Sequence, residues 1–398
     1  MIQKTPPLSR ATANFFFSHN TFFQTNNKLP MSTPESISLP DAPSDGITQL
    51  SYLPSNSSLL ASTSWDGSLR IHNTSSKTLV TNQALASGPI LSLATPSNSS
   101  SSSVWTGGLD GSVKQFHIES STVELIGLHS STTSTDDASP SEIACSCLAP
   151  LFHSDTTVAS AGWDSCAYLW DARVSNAAKE SGPGGMSRAA VATIPLKDKA
   201  YAMDVDPSSE TRLVLSLAGR HTVFMDVRKL DTPTQSMEAN IVLERESSLK
   251  YQSRVIKFFP DGSGIATGSI EGRVGIEFLT ELGVTSPNHP TAKKYAFKCH
   301  RVGDTVYPVN AIAFHPILGT FATGGCDGTV VTWDGGNKKK LVTLASCATS
   351  VAALAFNGDG TEIAIASSYT YEDGERDHPR DEILVRKVLE SEVRPKSK

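Results

Sequence analysis

Paired cysteines of the C-x-x-C kind are absent. The six cysteines, Cys145, Cys147, Cys166, Cys299, Cys326 and Cys347, are scattered, and no histidine pair completes a zinc pattern. This spacing predicts reduced thiols in a cytosolic or nuclear protein, with no metal site. No run of 18 apolar residues occurs, so no membrane span is expected. A charged leader followed by an apolar stretch is also missing, so no secretory signal is expected. There is no basic excess: 34 Lys and Arg face 40 Asp and Glu, a formal net charge of −6, which argues against general nucleic-acid binding. The motifs G-x-x-x-x-G-K-[ST], H-E-x-x-H and G-x-S-x-G do not occur, and His300, His315 and His378 read as isolated. His315, in the run AFHP, reads as a strand-end cap or a partly buried side chain. No enzyme activity and no cofactor are expected.

Residues 1–34 lack Asp and Glu altogether and carry only Lys4, Arg10 and Lys28 as fixed positive charges. With a single arginine the segment reads as a disordered extension rather than a mitochondrial presequence. Met31 would make a natural alternative start.

Self-similarity is what the chain does have. The segments STSWDGSLRIHN (62–73), WTGGLDGSVKQFHI (105–118), SAGWDSCAYLWDA (160–172), TGSIEGRVGIEFL (267–279) and ATGGCDGTVVTWDG (322–335) share one plan. Small residues end a strand, an acidic residue opens a turn, and alternating apolar residues follow. The turn acids are Asp66, Asp110, Asp164, Glu271 and Asp327, at steps of 44, 54, 107 and 56. The step of 107 is double the others, and SLAGRHTVFMDVR (216–228) supplies the missing unit, with Arg220-His221 in the turn. A seventh unit lies at 354–388, with a polar insertion in its turn. Such periods with D-G turns and terminal W-D predict an all-β, seven-bladed WD-repeat propeller in a single domain. One blade cannot cover both faces of its sheet, whereas seven in a ring can. Closure calls for an outer strand from the opposite terminus, and ESISL (35–39) is the candidate. The expected organisation is a disordered extension over 1–34, a propeller over 35–390 and a basic flexible tail over 391–398. The polar runs 97–103, 130–141 and 175–188 read as mobile surface loops.

The turn acids recur once per unit, which predicts a structural role as acceptors of backbone and hydroxyl hydrogen bonds. The cations are less regular. Arg273 stands directly after the Gly272 turn, Arg254 begins a first strand, and Lys298 and Arg301 lie where a fourth strand ends. Trp65 and Trp163 precede turn acids. All should ring one face, where exposed aromatics beside arginines suit a peptide and an arginine fork suits carboxylate or phosphate.

The runs RESSLKYQSRVIKFFPDGSGIATGSIEGRV (245–274), KKYAFKCHR (293–301), YPVNAIAFHPILGTFATGGCDG (307–328) and LAFNGDGTEIAIASSY (354–369) resemble the spindle-checkpoint WD-repeat family of the budding-uninhibited-by-benzimidazole group. Its sister group is the mRNA-export WD-repeat factor that binds a nucleoporin, and the tail HPRDEILVRKVLESEVRPKSK (378–398) is more similar to the checkpoint branch. The resemblance implies a non-catalytic adaptor of the nucleus, found at the kinetochore in mitosis. Its implied partners are checkpoint kinases, pseudokinases and mitotic-arrest proteins that carry a GLEBS peptide. A further implied partner is a kinetochore scaffold with phosphorylated Met-Glu-Leu-Thr repeats. By motif match, Arg254 corresponds to an arginine that meets acidic GLEBS residues. Arg273 and Lys298 correspond to basic positions near the phosphopeptide, and Trp65 to an aromatic on the same face. The Arg220-His221 turn departs from a pair of arginines common in the family, so a contact made by the second of that pair does not carry over to His221. No membrane or direct nucleic-acid partner is implied.

Overall fold

A computed structural model describes residues 34–98, 100, 102–129, 143–174, 190–228, 241–284 and 294–396. The chain divides at Thr33–Pro34 into two units, and the described residues belong to the second. The expected extension therefore lies outside the described residues, apart from Pro34. So do the loops at 130–141 and 175–188. Of the run 97–103, Ser97 is held by Glu210 and a strand begins at Ser103.

Seven four-stranded antiparallel sheets dominate the described residues, at 47–84, 90–128, 145–195, 200–246, 253–298, 309–346 and 351–387, and a two-stranded ribbon, Arg301–Val302 with Thr305–Val306, lies between the fifth and the sixth in sequence. We number them blades 1 to 7. The first strand of each blade touches the first strand of the next, and that of blade 7 returns to blade 1. This closed circuit is the seven-bladed propeller that the repeat spacing predicts. The first strands line a central channel of about 260 Å³. Blade 7 contributes only three strands from its own stretch of chain. Its outer strand is Ile37–Ser38, where Ile37 faces Val385 and Ser38 faces Leu384.

Stacking explains why the units cannot stand alone. In the strand Arg273–Phe278 of blade 5, Val274 and Ile276 are fully buried between blades 5 and 6. The opposite side of the strand is covered too. Glu277 is buried there, neutralised by Arg245 of blade 4 at 2.7 Å.

The turn acids act as expected. Asp110 accepts from the amide and hydroxyl of Ser112, and Asp327 from those of Thr329. In blades 3 and 6 the acid also anchors a chain of side chains. Trp333 Nε1 donates to Thr323 Oγ1 at 2.9 Å, and Thr323 lies 2.8 Å from His300 Nε2. His300 Nδ1 then lies 2.8 Å from Asp327. Blade 3 repeats it with Trp170, Ser160, His129 and Asp164. His300 is thus not isolated, contrary to the sequence reading: it ties the loop entering blade 6 to that blade's turn. His315 is a cap as expected, with Nδ1 accepting from the amides of Ile317 and Leu318.

The tail also differs from expectation. Residues Glu390–Val393 form a short helix instead of the start of a flexible segment. Glu392 makes a buried two-pronged ion pair with Arg386, and Thr332 and Thr320 donate to the carbonyls of Glu392 and Val393. Arg386 also donates through Nε to the Pro34 carbonyl at 3.1 Å. A basic composition reads as solvated, but one buried acid with a matching arginine was enough to dock the segment.

Candidate peptide-binding face

Each blade's first strand begins at the same rim of the ring, which we call the upper face. The turn between second and third strands opens there as well, because the strands alternate in direction. In blade 5 the register sets Ser253, Ser269, Arg273 and Lys298 in one row across the four strands at this rim. Neighbouring strands lie about 4.8 Å apart, so the row runs roughly 14 Å outward from the channel. Arg254 stands at its inner end, beside Ser253, while Arg273 and Lys298 stand at its outer end.

The inner end opens into a hollow of about 610 Å³ at the channel mouth, lined by Trp65, Arg254, Tyr201, Asn310, Tyr369 and Tyr371 among others. Trp65 is 47% exposed although it is a large aromatic. Its position is fixed from below. Trp65 N donates to Gly46 O at 2.9 Å, and a Cβ on Gly46 would approach the indole to 3.3 Å. The neighbouring Asp66 locks the turn by accepting from Ser68, from Ser44 N and from Arg70. Burial alone would raise this carboxyl. The hydrogen bonds from Ser68 and Ser44 and the Arg70 charge outweigh it and bring it down from 3.8 to about 2. Tyr371 is 56% exposed and adds a second open aromatic to the rim of the hollow.

Arg254 has no carboxylate within ion-pair distance among the described residues. Its Nη1 donates instead to Asn310 Oδ1 at 2.7 Å. An ordered, half-buried guanidinium with an uncancelled charge is a ready partner for an acidic side chain.

The outer end is built differently. Gly272 holds the turn at φ +60°, where a Cβ would lie 2.9 Å from the Cys299 carbonyl oxygen, so no other residue fits without a shift. Elsewhere the turn acid is an aspartate followed two positions on by Ser, Cys or Thr. Here Glu271 and Arg273 take those places, and Glu271 Oε2 lies 3.3 Å from Arg273 Nε. The other carboxylate oxygen accepts from Lys250 N, and Arg301 Nη2 donates to the Glu271 carbonyl. Lys298 is exposed and has no ion pair among the described residues.

The four residues matched to the family in the sequence thus fall into two groups. Trp65 and Arg254 share the central hollow, while Arg273 and Lys298 form an outer pair. Asn310, Tyr201, Tyr369 and Tyr371 were not singled out, because they come from three separate blades, 6, 4 and 7, and nothing local marks them. In blade 4 the Arg220-His221 turn is turned inward: Arg220 donates to the carbonyls of Leu249 and Ser247, and His221 lies 3.2 Å from Glu244.

Fold, turn acids and the Trp–Thr–His–Asp chain together define a WD-repeat propeller. The family model for the WD domain, G-beta repeat, matches residues 35–73, 134–171 and 293–334. The chain is 38% identical to the mitotic checkpoint protein BUB3.1 of Arabidopsis thaliana, with 90% of this chain and 95% of the relative covered. It is 36% identical to the mitotic checkpoint protein bub3 of Dictyostelium discoideum, covering 88% and 94%. The poly(A)+ RNA export protein of Schizosaccharomyces pombe is similar at 29% identity, covering 91% and 93%. The chain belongs to the BUB3 family of mitotic checkpoint WD-repeat proteins.

Proposed function

We propose that the chain is a non-catalytic adaptor of the spindle assembly checkpoint, acting at the kinetochore in mitosis and resident in the nucleus. The central hollow receives the GLEBS motif of checkpoint kinases, pseudokinases and mitotic-arrest proteins. The acidic residues of that motif meet Arg254, and its apolar residues lie against Trp65. The outer pair, Arg273 and Lys298, reads phosphothreonine in the Met-Glu-Leu-Thr repeats of a kinetochore scaffold. The observation that carries this reading is Arg254 itself. It is held in place by a neutral amide, keeps its charge, and lines the same hollow as a tryptophan that is left half in solvent.

Titration calorimetry of a GLEBS peptide with Arg254→Ala tests it. Truncating a charged, hydrogen-bonded anchor at the centre of an interface costs roughly 2–4 kcal/mol, or roughly 30- to 700-fold in affinity. Wild-type affinity in the variant would remove Arg254 from the site. Capture from mitotic cells should return checkpoint kinases and a kinetochore scaffold. Recovery of a nucleoporin with RNA in their place would favour the role of the export relative.

A further inference from the structure

Arg254 begins the first strand of blade 5, and Asn310 occupies the matching place in blade 6, in the strand Val309–Phe314. The amide of Asn310 can be oriented without ambiguity. Its Nδ2 lies 3.1 Å from the carbonyl oxygen of Val351 in blade 7, and a carbonyl can only accept. The NH₂ group therefore points to blade 7, and Oδ1 must face Arg254, 2.7 Å from Nη1. The same NH₂ group reaches Thr370 Oγ1 at 3.3 Å and Cys326 Sγ at 3.2 Å. Thr370 in turn donates to Glu372 at 2.7 Å, and Ser350 donates to the other oxygen of Glu372 at 2.6 Å. Burial works against ionising Glu372, but the Ser350 and Thr370 bonds prevail and keep its carboxyl low. The chain of bonds spans three blades and ends on the guanidinium.

We propose that Asn310 is the positioning residue for Arg254, and that its being a neutral amide keeps the arginine's charge available to an acidic peptide. An aspartate has almost the same shape and would hold the guanidinium at least as firmly. It would also satisfy the charge from within the protein, and a peptide carboxylate would then arrive at a site already neutralised. An alanine would leave the charge free but the guanidinium unheld, so ordering would fall to the binding step. Asparagine alone gives both order and charge. The argument rests on the peptide reading above and assigns Asn310 a role within it.

The test uses the full chain and a synthetic GLEBS peptide followed by fluorescence polarisation, with melting curves to show that each variant is folded. Asn310→Ala should weaken binding about tenfold, the loss of one hydrogen bond to a charged group. Asn310→Asp should weaken it more than Asn310→Ala, although it is the more conservative change in shape. It should also flatten the decline of affinity with added salt. In an Arg254→Ala background, neither substitution should cost more than about threefold, since a coupled pair is not additive. Near wild-type binding by Asn310→Asp, with Arg254→Ala still weak, would overturn the positioning role and leave the peptide site standing. So would a loss of the same size with and without Arg254. Wild-type binding by Arg254→Ala alone would overturn the peptide site and this proposal with it.

Discussion

Arg273 and Lys298 are cross-strand partners, set directly opposite one another in the ladder between the third and fourth strands of blade 5. Like charges in that relation repel, a cost of a few tenths of a kcal/mol in an empty sheet. A shared anion would reverse the sign. A phosphothreonine brings about −1.5 to −2 charges and three acceptor oxygens at neutral pH. Phosphorylating a Met-Glu-Leu-Thr peptide should therefore tighten its binding, added salt should weaken it, and Arg273→Ala should remove most of the difference. Equal binding of the two forms to wild type in fluorescence polarisation would end the phosphate reading.

Glu271 sharpens this test, because it already touches Arg273 Nε and stands as a like charge beside an incoming phosphate. Glu271→Gln should raise the preference for the phosphorylated peptide, by about two- to fivefold for a partly buried pair at the rim. It should leave GLEBS affinity unchanged. A fall in phosphate preference would mean that Glu271 orients the arginine rather than competing for it.

Removing residues 1–30 leaves every described contact in place, and the melting temperature should stay near that of the full chain. Removing 1–45 deletes the Ile37–Ser38 ladder and the buried Leu39, whose amide donates to Ile383 O. A Leu side chain alone is worth about 2–5 kcal/mol in such a position. Thermal melts that coincide for the two truncations would refute closure as a source of stability.

Asp66 predicts a pH dependence with a definite sign. Its carboxyl is depressed in the folded chain, from 3.8 to about 2. It therefore contributes stability in full above its unfolded value, and that contribution is lost as pH falls through about 3.8 toward about 2. Asp66→Asn should cost about 1–3 kcal/mol at neutral pH, the price of weakening several bonds to a charged acceptor. The gap to wild type should close over that acid window. Urea melts across the series would show a constant gap if the charge on Asp66 were immaterial.

Glu392→Ala should be the most damaging change in the C-terminal segment. It leaves Arg386, whose side chain is 2% exposed, buried without its counter-ion. Breaking a buried pair from one side costs about 3–5 kcal/mol. Lowered cooperativity without a shifted midpoint would instead point to local fraying of the helix.

Much of this architecture was legible in the chain because propeller blades repeat. Five acidic turns at near-regular steps announce the ring, and the double step between Asp164 and Glu271 announces the hidden unit. The closing strand could be found because ESISL is an apolar alternation with no other place to go. The Trp–Thr–His–Asp chain was harder. His300 precedes its own blade by a full loop and meets Thr323 and Asp327 from 23 and 27 positions away. A histidine about 30 positions before a turn acid, seen again at His129 and Asp164, is the signal that could have revealed it. Asn310 carried no local mark, since apart from Cys326 its partners come from blades 5 and 7. The docked tail was hidden for the opposite reason, its composition being dominated by the residues that stay in solvent.

The pairing of Ile37 with Val385 also has a temporal meaning. A ribosome releases the first of these residues and needs about 350 further additions to deliver the second, which at ordinary elongation rates takes roughly 20 to 70 s. Over that interval Ile47, Leu50, Tyr52 and Leu60 of blade 1 lack Ala353, Ala364, Ala366 and Ile383, the residues that later cover them. A nascent chain stopped after blade 6 would carry this bare flank at one side and the uncovered side of blade 6 at the other. Such a product is a two-sided adhesive, so translation past the seventh repeat is what separates a soluble ring from a substrate for chaperones and proteases.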